Sequence, residues 1–333
     1  MSHEVPTQPR DLPILATTES TAGKTYIVTG ANTGLGFEAA KHFVRLGAKR
    51  VILAVRSIPS GEAAKRKIDE ATATNDVAEV WALDLSRYAS VKTFAKRAIT
   101  ELERIDAVIE NAAVATPEQT RAEGHGLSLT VNVLSTFLLA MLLLPKLKES
   151  AEKYGILPHL SIVTSGIGWD MRETWEKIRE DPLVRMDGLP TEQLMVTYAQ
   201  YPISKLMDTL AVRELAARLP VEQGKVVINA VCPGLCKTEL VRNCPPTQKQ
   251  AIVEQHELYG RTAEDGSRTL LAGSVLGKES HGTYTSNCEI REDKVPDWAK
   301  DEEAKKWQEH LWGLIVKELE TVEPGCVRKA LQK

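Results

Sequence analysis

From residue 24 onward the chain alternates short, nearly all-apolar runs with longer stretches whose apolar positions recur at helical spacing. "TYIVT" (25–29) leads into "GLGFEAAKHFVRLG", where Phe37, Ala40, Phe43 and Val44 share a helical face and Gly47 supplies the stop. "RVILAV" (50–55) precedes a helical run from about Ser60 to Thr74. "AEVWAL" (78–83) precedes another over 88–103, and "DAVIEN" (106–111) follows. A long helix, "LSIVTS" (160–165), a second long helix near 200–219 and "KVVINAV" (225–231) complete the alternation. Strands that are apolar throughout are covered on both faces. The pattern therefore predicts an α/β fold: a doubly wound parallel sheet with right-handed crossovers, layered α/β/α. Ligands of such sheets sit at the carboxyl ends of the strands.

No repeat or linker divides residues 24–333, which read as one domain with decorations. Residues 1–23, rich in Pro, Thr and Ser, read as a loosely held leader without the basic-then-apolar pattern of a signal segment. The alternative is a short edge strand. The net charge of -3 gives no reason to expect nucleic acid or an anionic membrane as partner. The longest apolar run, "FLLAMLLLP" (137–145), is too short to span a bilayer. The five cysteines are odd in number and form no C-x-x-C pair, which suits reduced thiols in the cytoplasm and no metal site.

The chemistry begins after the first strand. "VTGANTGLG" places Gly30, Gly34 and Gly36 between a strand and an amphipathic helix, where glycines let the backbone approach a pyrophosphate on the helix N-terminus. An NAD-preferring site carries an acid about 20 residues further on, to hold the ribose 2′-hydroxyl. Here that position is Arg56, whose guanidinium suits a 2′-phosphate and so NADP(H). Asp84, in "ALDLS", is either an acceptor for the adenine amino group or a cap for the helix starting near Ser86.

With "NAAV" (111–114), Asn132 in "LTVNVLSTF", Ser165 in "IVTSG", Tyr201 and Lys205 in "YPISK", and "CPGLCKT" (232–238), the chain resembles the short-chain dehydrogenase/reductase family. The match runs from about Lys24 to Tyr284, and "VILAVRS" and "RTAEDG" look most like its retinol-dehydrogenase-like and fungal biosynthetic branch. The resemblance implies a Rossmann-type fold and a cofactor site of Gly30, Asn32, Thr33, Gly34, Leu35, Gly36, Arg56, Asp84, Leu85, Asn111, Ala112, Tyr201, Lys205, Pro233, Gly234 and Thr238. It implies that Tyr201 donates or accepts the substrate proton, with Ser165 bonding the substrate oxygen. Lys205 would lower the phenol pKa from ~10 and hold the nicotinamide ribose. Asn132 would hold a water linking Lys205 to solvent. Taken singly, Ser165 could be a turn residue and Asn132 a local break in an apolar helix. Tyr198 competes with Tyr201 for the proton-transfer role, but Tyr198 is followed at +4 by Pro202 and only Tyr201 has the lysine. Pro202 is compatible with a helix that starts near 198–201. Val114 stands where the family often has glycine.

Ser165 and Tyr201 are 36 residues apart, far more than in compact members of the family. The insertion, about 166–197, carries Trp169, Met171, Trp175, Leu183, Met186 and Met195, which either wall a pocket for a bulky apolar substrate or pack onto their own domain. A second variable stretch, about 239–262 and including "NCPPTQKQ", would cap the pocket from the other side. A helix over about 298–320 would cover the sheet or sit at a subunit contact, and the helix "VLSTFLLAMLLLPKLK", apolar nearly all round, points to a homo-oligomer, the alternative being burial beneath the insertion in a monomer. The expectation is an NADPH-dependent reductase of a lipophilic ketone, or dehydrogenase of the alcohol, in secondary metabolism. A non-redox isomerase or cyclase on the same scaffold, or a redox-inactive NADPH-binding protein, are the alternatives.

Overall fold

The computed structural model describes residues 5–116, 120–186, 199–242, 244 and 246–332. Met195, Tyr198 and the end of the insertion lie outside the described residues, as does part of "NCPPTQKQ". Eight strands form one sheet: β1 (Thr25–Thr29), β2 (Arg50–Val55), β3 (Ala78–Ala82), β4 (Ala107–Glu110), β5 (His159–Val163), β6 (Val227–Cys232), β7 (Tyr284–Ser286) and β8 (Glu289–Ile290). Their order is β8-β7-β6-β5-β4-β1-β2-β3, parallel except for β8. The order reverses between β1 and β4, the position where doubly wound sheets open a crevice. The last hairpin is too short to leave an alternating pattern. Its two-residue turn, Asn287 and Cys288, has φ of 55° and 66°, the backbone a tight hairpin requires.

The main helices are α1 (Gly34–Arg45), α2 (Ile58–Thr72), α3 (Tyr88–Glu101), α4 (Ser135–Tyr154), α5 (Gln200–Arg218), α6 (Pro246–Tyr259), α7 (Ala263–Gly273) and α8 (Glu302–Val322). Alternation along β1 splits the core in two. Tyr26 and Val28 pack with Phe43 of α1 and Leu270 of α7, while Ile27 packs towards α3, α4 and α5 on the other face.

The apolar faces of helix α4 are covered within the chain. Phe137, Leu138, Leu139, Met141, Leu143 and Leu144 are fully buried. Leu311, Trp312 and Ile315 of α8 are buried in the same cluster, with the Trp312 ring edge-on to Phe137 at 5.9 Å. The burial that suggested a homo-oligomer is thus satisfied within one chain. The run Leu127–Tyr154 is apolar enough to cross a membrane, yet 89% of its most apolar window is buried in the protein, as in a core helix.

Packing corrects one expectation and decides between two readings of another. Residues 5–16 are not loosely held. Backbone N–H groups of Asp11 and Leu12 donate to the Asp265 carboxylate (3.1 and 2.7 Å), and Gln8 Nε2 donates to the carbonyls of Leu235 (2.9 Å) and Tyr259 (2.8 Å). Of the two readings of the insertion, its described large side chains take the second: Met171, Trp175, Leu183 and Met186 are buried in the core beside α5 and α8. Edge-to-face stacking of Trp169 with Tyr284 (5.4 Å) and Trp298 (6.4 Å) pins its start. Because α8 covers α4 through Trp312, Trp312→Ala should cost about 3–5 kcal/mol of stability, read as a lowered midpoint in urea unfolding.

Candidate active site

A cavity of about 860 Å³ runs along the carboxyl ends of β1, β2, β4, β5 and β6. Its floor is set by backbone approach. The Gly30 and Gly34 residues adopt φ of +67° and +58°, where a side chain would be strained. At Gly36 a Cβ would come within 2.6 Å of Asn111 Nδ2 and 2.7 Å of the Gly30 carbonyl, so only glycine fits. Thr29 ties β1 to the segment after β4: its hydroxyl accepts from the N–H groups of Asn111 (3.0 Å) and Ala112 (2.9 Å), while Asn111 Nδ2 donates to Thr29 O (2.9 Å). Asn111 and Ala112 therefore build the cradle as well as line it.

Asn32, Thr33, Gly34 and Leu35 line the near wall at the start of α1. Arg56 is exposed at the cavity rim beside Ser57 and Ser60, and it pairs with no carboxylate among the described residues. Asp84 does not cap α3, which begins at Tyr88. Its Oδ1 instead accepts from the N–H (3.0 Å) and hydroxyl (2.7 Å) of Ser86, with the carboxylate at the cavity edge next to Leu85. The glycine cradle, the cationic rim and the cavity's length fit a nicotinamide dinucleotide, with its pyrophosphate on the N-terminus of α1.

At the other end Ser165, Tyr201 and Lys205 converge on the cavity. Tyr201 lies in the first turn of α5, and Pro202 follows it there, where no helical hydrogen bond is lost. Thr164 positions this helix by donating to the Lys205 carbonyl (2.7 Å) and sharing a 2.8 Å hydrogen bond with Thr209. The Ser165 hydroxyl hydrogen-bonds the Tyr201 phenol, whereas the resemblance gives it the substrate oxygen as partner.

Two details differ from expectation. Lys205 Nζ donates to Val163 O (2.8 Å) and Asp208 Oδ2 (2.9 Å), and lies 6.0 Å from the Tyr201 ring centroid. Burial, with Cys232 and Asp208 adding to it, pushes the Tyr201 phenol above its ordinary pKa, so in this arrangement the tyrosine is firmly protonated. Asn132 sits in a π-helical turn, Thr130–Leu134, and spends its amide on protein groups. Its Oδ1 accepts from Val114 N (2.9 Å), and its Nδ2 donates to Val114 O (3.0 Å) and Ser204 Oγ (2.9 Å). Asn132 thereby clamps the "NAAV" segment to the turn that carries Lys205.

The far wall includes groups the sequence did not announce. Arg261 is buried, with Nε donating to Pro9 O (2.7 Å), Nη1 to Pro233 O (2.8 Å) and Nη2 to Asn287. It locks the N-terminal segment onto the Pro233–Gly234 turn, and Gly234 has φ of +75°. Val5, Thr7, Gln8 and Pro9 consequently line the cavity. Thr238 caps a short helical turn, Glu239–Val241, and its methyl carbon would lie 3.5 Å from a Cβ at Gly34. Beyond it Leu240, Val241, Ile252 and His256 line the cavity from the 239–262 stretch.

Residues 24–166 match the family model for short chain dehydrogenases. The chain is 40% identical over 305 residues to the short chain dehydrogenase/reductase dmxR8 of Cryptosporiopsis sp. (strain 8999), covering 91% of this chain and 93% of that one. It belongs to the short-chain dehydrogenase/reductase family. A second member, the short chain dehydrogenase atnD of Emericella nidulans, is 40% identical over 262 residues, 78% of this chain and 82% of its own. Solved structures share the fold. The 3-ketoacyl-(acyl-carrier-protein) reductase from Brucella melitensis complexed with NADH superposes with a TM-score of 0.59 at 21% identity, covering 80% of this chain and 97% of that one. The short-chain dehydrogenase from Sphingobium yanoikuyae in complex with NADPH gives 0.57 at 19% identity, covering 79% and 87%. This short-chain dehydrogenase is therefore an oxidoreductase that acts between CH–OH and C=O with a nicotinamide cofactor. Because a methyl group at Gly36 would collide with Asn111 and Gly30, Gly36→Ala should weaken binding of the nicotinamide cofactor at least about tenfold while the protein stays folded, a loss of ~1.4 kcal/mol or more, measurable by fluorescence titration.

Proposed function

We propose that this enzyme is an NADPH-dependent reductase of a carbonyl on a bulky lipophilic small molecule, with Tyr201 as the proton donor. The observation that carries the reading is one continuous cavity with Arg56 at one end and Ser165, Tyr201 and Lys205 at the other. When bound, the reduced nicotinamide supplies a hydride equivalent to the carbonyl carbon. The protein supplies the rest. The Ser165 hydroxyl donates to the carbonyl oxygen and stabilises its developing charge. Tyr201 Oη gives its proton to that oxygen, so the product is the neutral alcohol. Lys205, with two of its three protons on Val163 and Asp208, keeps one for a cofactor ribose hydroxyl. Pro233, Gly234 and Thr238 hold the nicotinamide end, Asp84 and Leu85 the adenine end.

The lipophilic assignment rests on Ile167, Leu240, Val241 and Ile252, which line the cavity, and not on the insertion's tryptophans and methionines. All five cysteines are free and buried, which fits a reducing compartment such as the cytoplasm. The organisms of the relatives support a place in fungal secondary metabolism.

Two measurements test the reading. NADPH oxidation over a panel of lipophilic ketones, aldehydes and quinones should show turnover in wild type, with kcat falling about 100- to 10,000-fold in Tyr201→Phe. Equal turnover by that variant would remove Tyr201 as the acid, and NADPH binding without turnover on any carbonyl would favour a non-redox role. The cofactor preference rests on Arg56. Arg56→Ala should raise KM for NADPH about 10- to 100-fold, the worth of a charge-assisted contact, and leave KM for NADH nearly unchanged; equal effects on both would refute a 2′-phosphate contact.

A further inference from the structure

The segment before β1 has no part in the chemistry of Ser165 and Tyr201, yet it forms part of the cavity wall. Val5, Thr7, Gln8 and Pro9 line the cavity. The segment is anchored just beyond them. The N–H groups of Asp11 and Leu12 donate to the Asp265 carboxylate. Arg268 donates to Asp11 Oδ1 (2.9 Å) and to the Leu12 carbonyl. The Leu12 side chain is buried with Ala272 and Cys288.

The Gln8 carboxamide is spent on backbone groups of two separate walls. Its Oε1 accepts from Leu235 N (2.9 Å), and its Nε2 donates to Leu235 O (2.9 Å) and Tyr259 O (2.8 Å). A side-chain amide that pairs with both the N–H and the carbonyl of one residue does for it what a neighbouring strand would do. Arg261 N donates to the same Leu235 carbonyl (2.9 Å) and Lys237 N to Arg261 O (2.8 Å), the register of a parallel bridge between Cys236 and Arg261. Tyr259 is the last residue of α6, where carbonyls have no helical donor. Gln8 satisfies that one, and Arg10 Nη2 donates to its neighbour, Leu258 O (2.7 Å). The two side chains thus cap the helix that brings Ile252 and His256 to the cavity, with a cation at its negative end. The fit at the turn is close. A Cβ at Gly234 would lie 2.5 Å from Gln8 Oε1 and 2.6 Å from Arg261 Nη1, so the turn and the segment are built against each other.

We propose that Gln8 is a positioning residue of the cofactor site: its carboxamide splints the Pro233–Leu235 turn to the end of α6 and so pre-forms the wall against which the nicotinamide end of the dinucleotide is held. The proposal rests on that end lying beside Pro233 and Gly234. Without the splint, the Leu235 N–H and the Tyr259 carbonyl lose their partner, and the turn keeps only its bonds to Arg261. The turn must then be ordered when the cofactor arrives, and binding weakens by the cost of that ordering. The adenine end, beside Arg56 and Asp84, gains nothing from Gln8. A substitution at Gln8 leaves the anchor at Asp11 and Leu12 in place, so the fold is kept.

The test compares the binding of two ligands to the full chain. NADPH reaches both ends of the site, whereas adenosine 2′,5′-bisphosphate occupies the adenine end alone. Gln8→Met keeps the length of the side chain and removes its hydrogen bonds. It should raise Kd for NADPH at least about tenfold and change Kd for the bisphosphate by less than about twofold. NADH and AMP form the matching pair should the protein prefer the unphosphorylated cofactor. Gln8→Ala carries the same expectation should methionine not be accommodated. Equal weakening of both ligands, which general loosening of the fold would give, overturns the proposal, as does no change in either. Hydrogen exchange in the ligand-free protein reads the splint itself. The Leu235 amide should exchange at least about tenfold faster in the variant, and unchanged exchange removes the splint. A wild-type protein that binds neither cofactor removes the cofactor reading and the proposal with it. The proposal alone fails when wild type binds NADPH and Gln8→Met binds it as tightly.

Discussion

The structure depends on one close approach, between the carboxyl ends of β1 and β4. There Thr29 accepts from two successive N–H groups after β4, and Asn111 returns a hydrogen bond to the Thr29 carbonyl. Gly36 lets α1 come down onto that junction, and Gly30 leaves β1 with a backbone that few other residues could adopt. The sheet order reverses at the same place, so the crevice that topology opens and the cradle the glycines shape coincide. A cofactor site here follows from how two parallel strands end beside each other.

The reacting end is held in the same economical way. Helix α5 is tied to β5 through Thr164, Thr209 and the Lys205 carbonyl, and to the turn at 130–134 through Ser204 and Asn132. These bonds fix the helix that carries Tyr201 and Lys205 to the cavity while satisfying polar groups that burial would otherwise leave costly. Asn132 and Asp208 illustrate the point: Asn132 is bonded to Val114 and Ser204, and Asp208 to the Lys205 ammonium.

Corrections to the sequence reading share a single cause. Tryptophan and methionine in an insertion are compatible with a pocket wall or with core, since both environments take large apolar side chains. The structure sends Met171, Trp175, Leu183 and Met186 into the core and leaves aliphatic residues after Thr238 to face the cavity. Likewise, the all-apolar α4 needed cover, and α8 of the same chain gives it through Trp312 and Leu311. An apolar surface states that it will be buried, not by what.

The sequence by itself determined the alternation of strands and helices, the six main parallel strands to within a residue or two, the glycine loop and the order of the Ser165, Tyr201 and Lys205 motifs. These are local facts: periodicity, turn residues and spacing along one helix carry them. Only the tertiary structure decided that Gln8 and Pro9 close the cavity beside Arg261, that Asn132 clamps Val114, and that Lys205 is held by the Val163 carbonyl. The Gln8–Leu235 bond spans 227 positions of chain, and the Lys205–Val163 bond spans 42. Contacts of that kind are created by packing one element against another, and neither partner carries a mark of the other in its own neighbourhood of sequence.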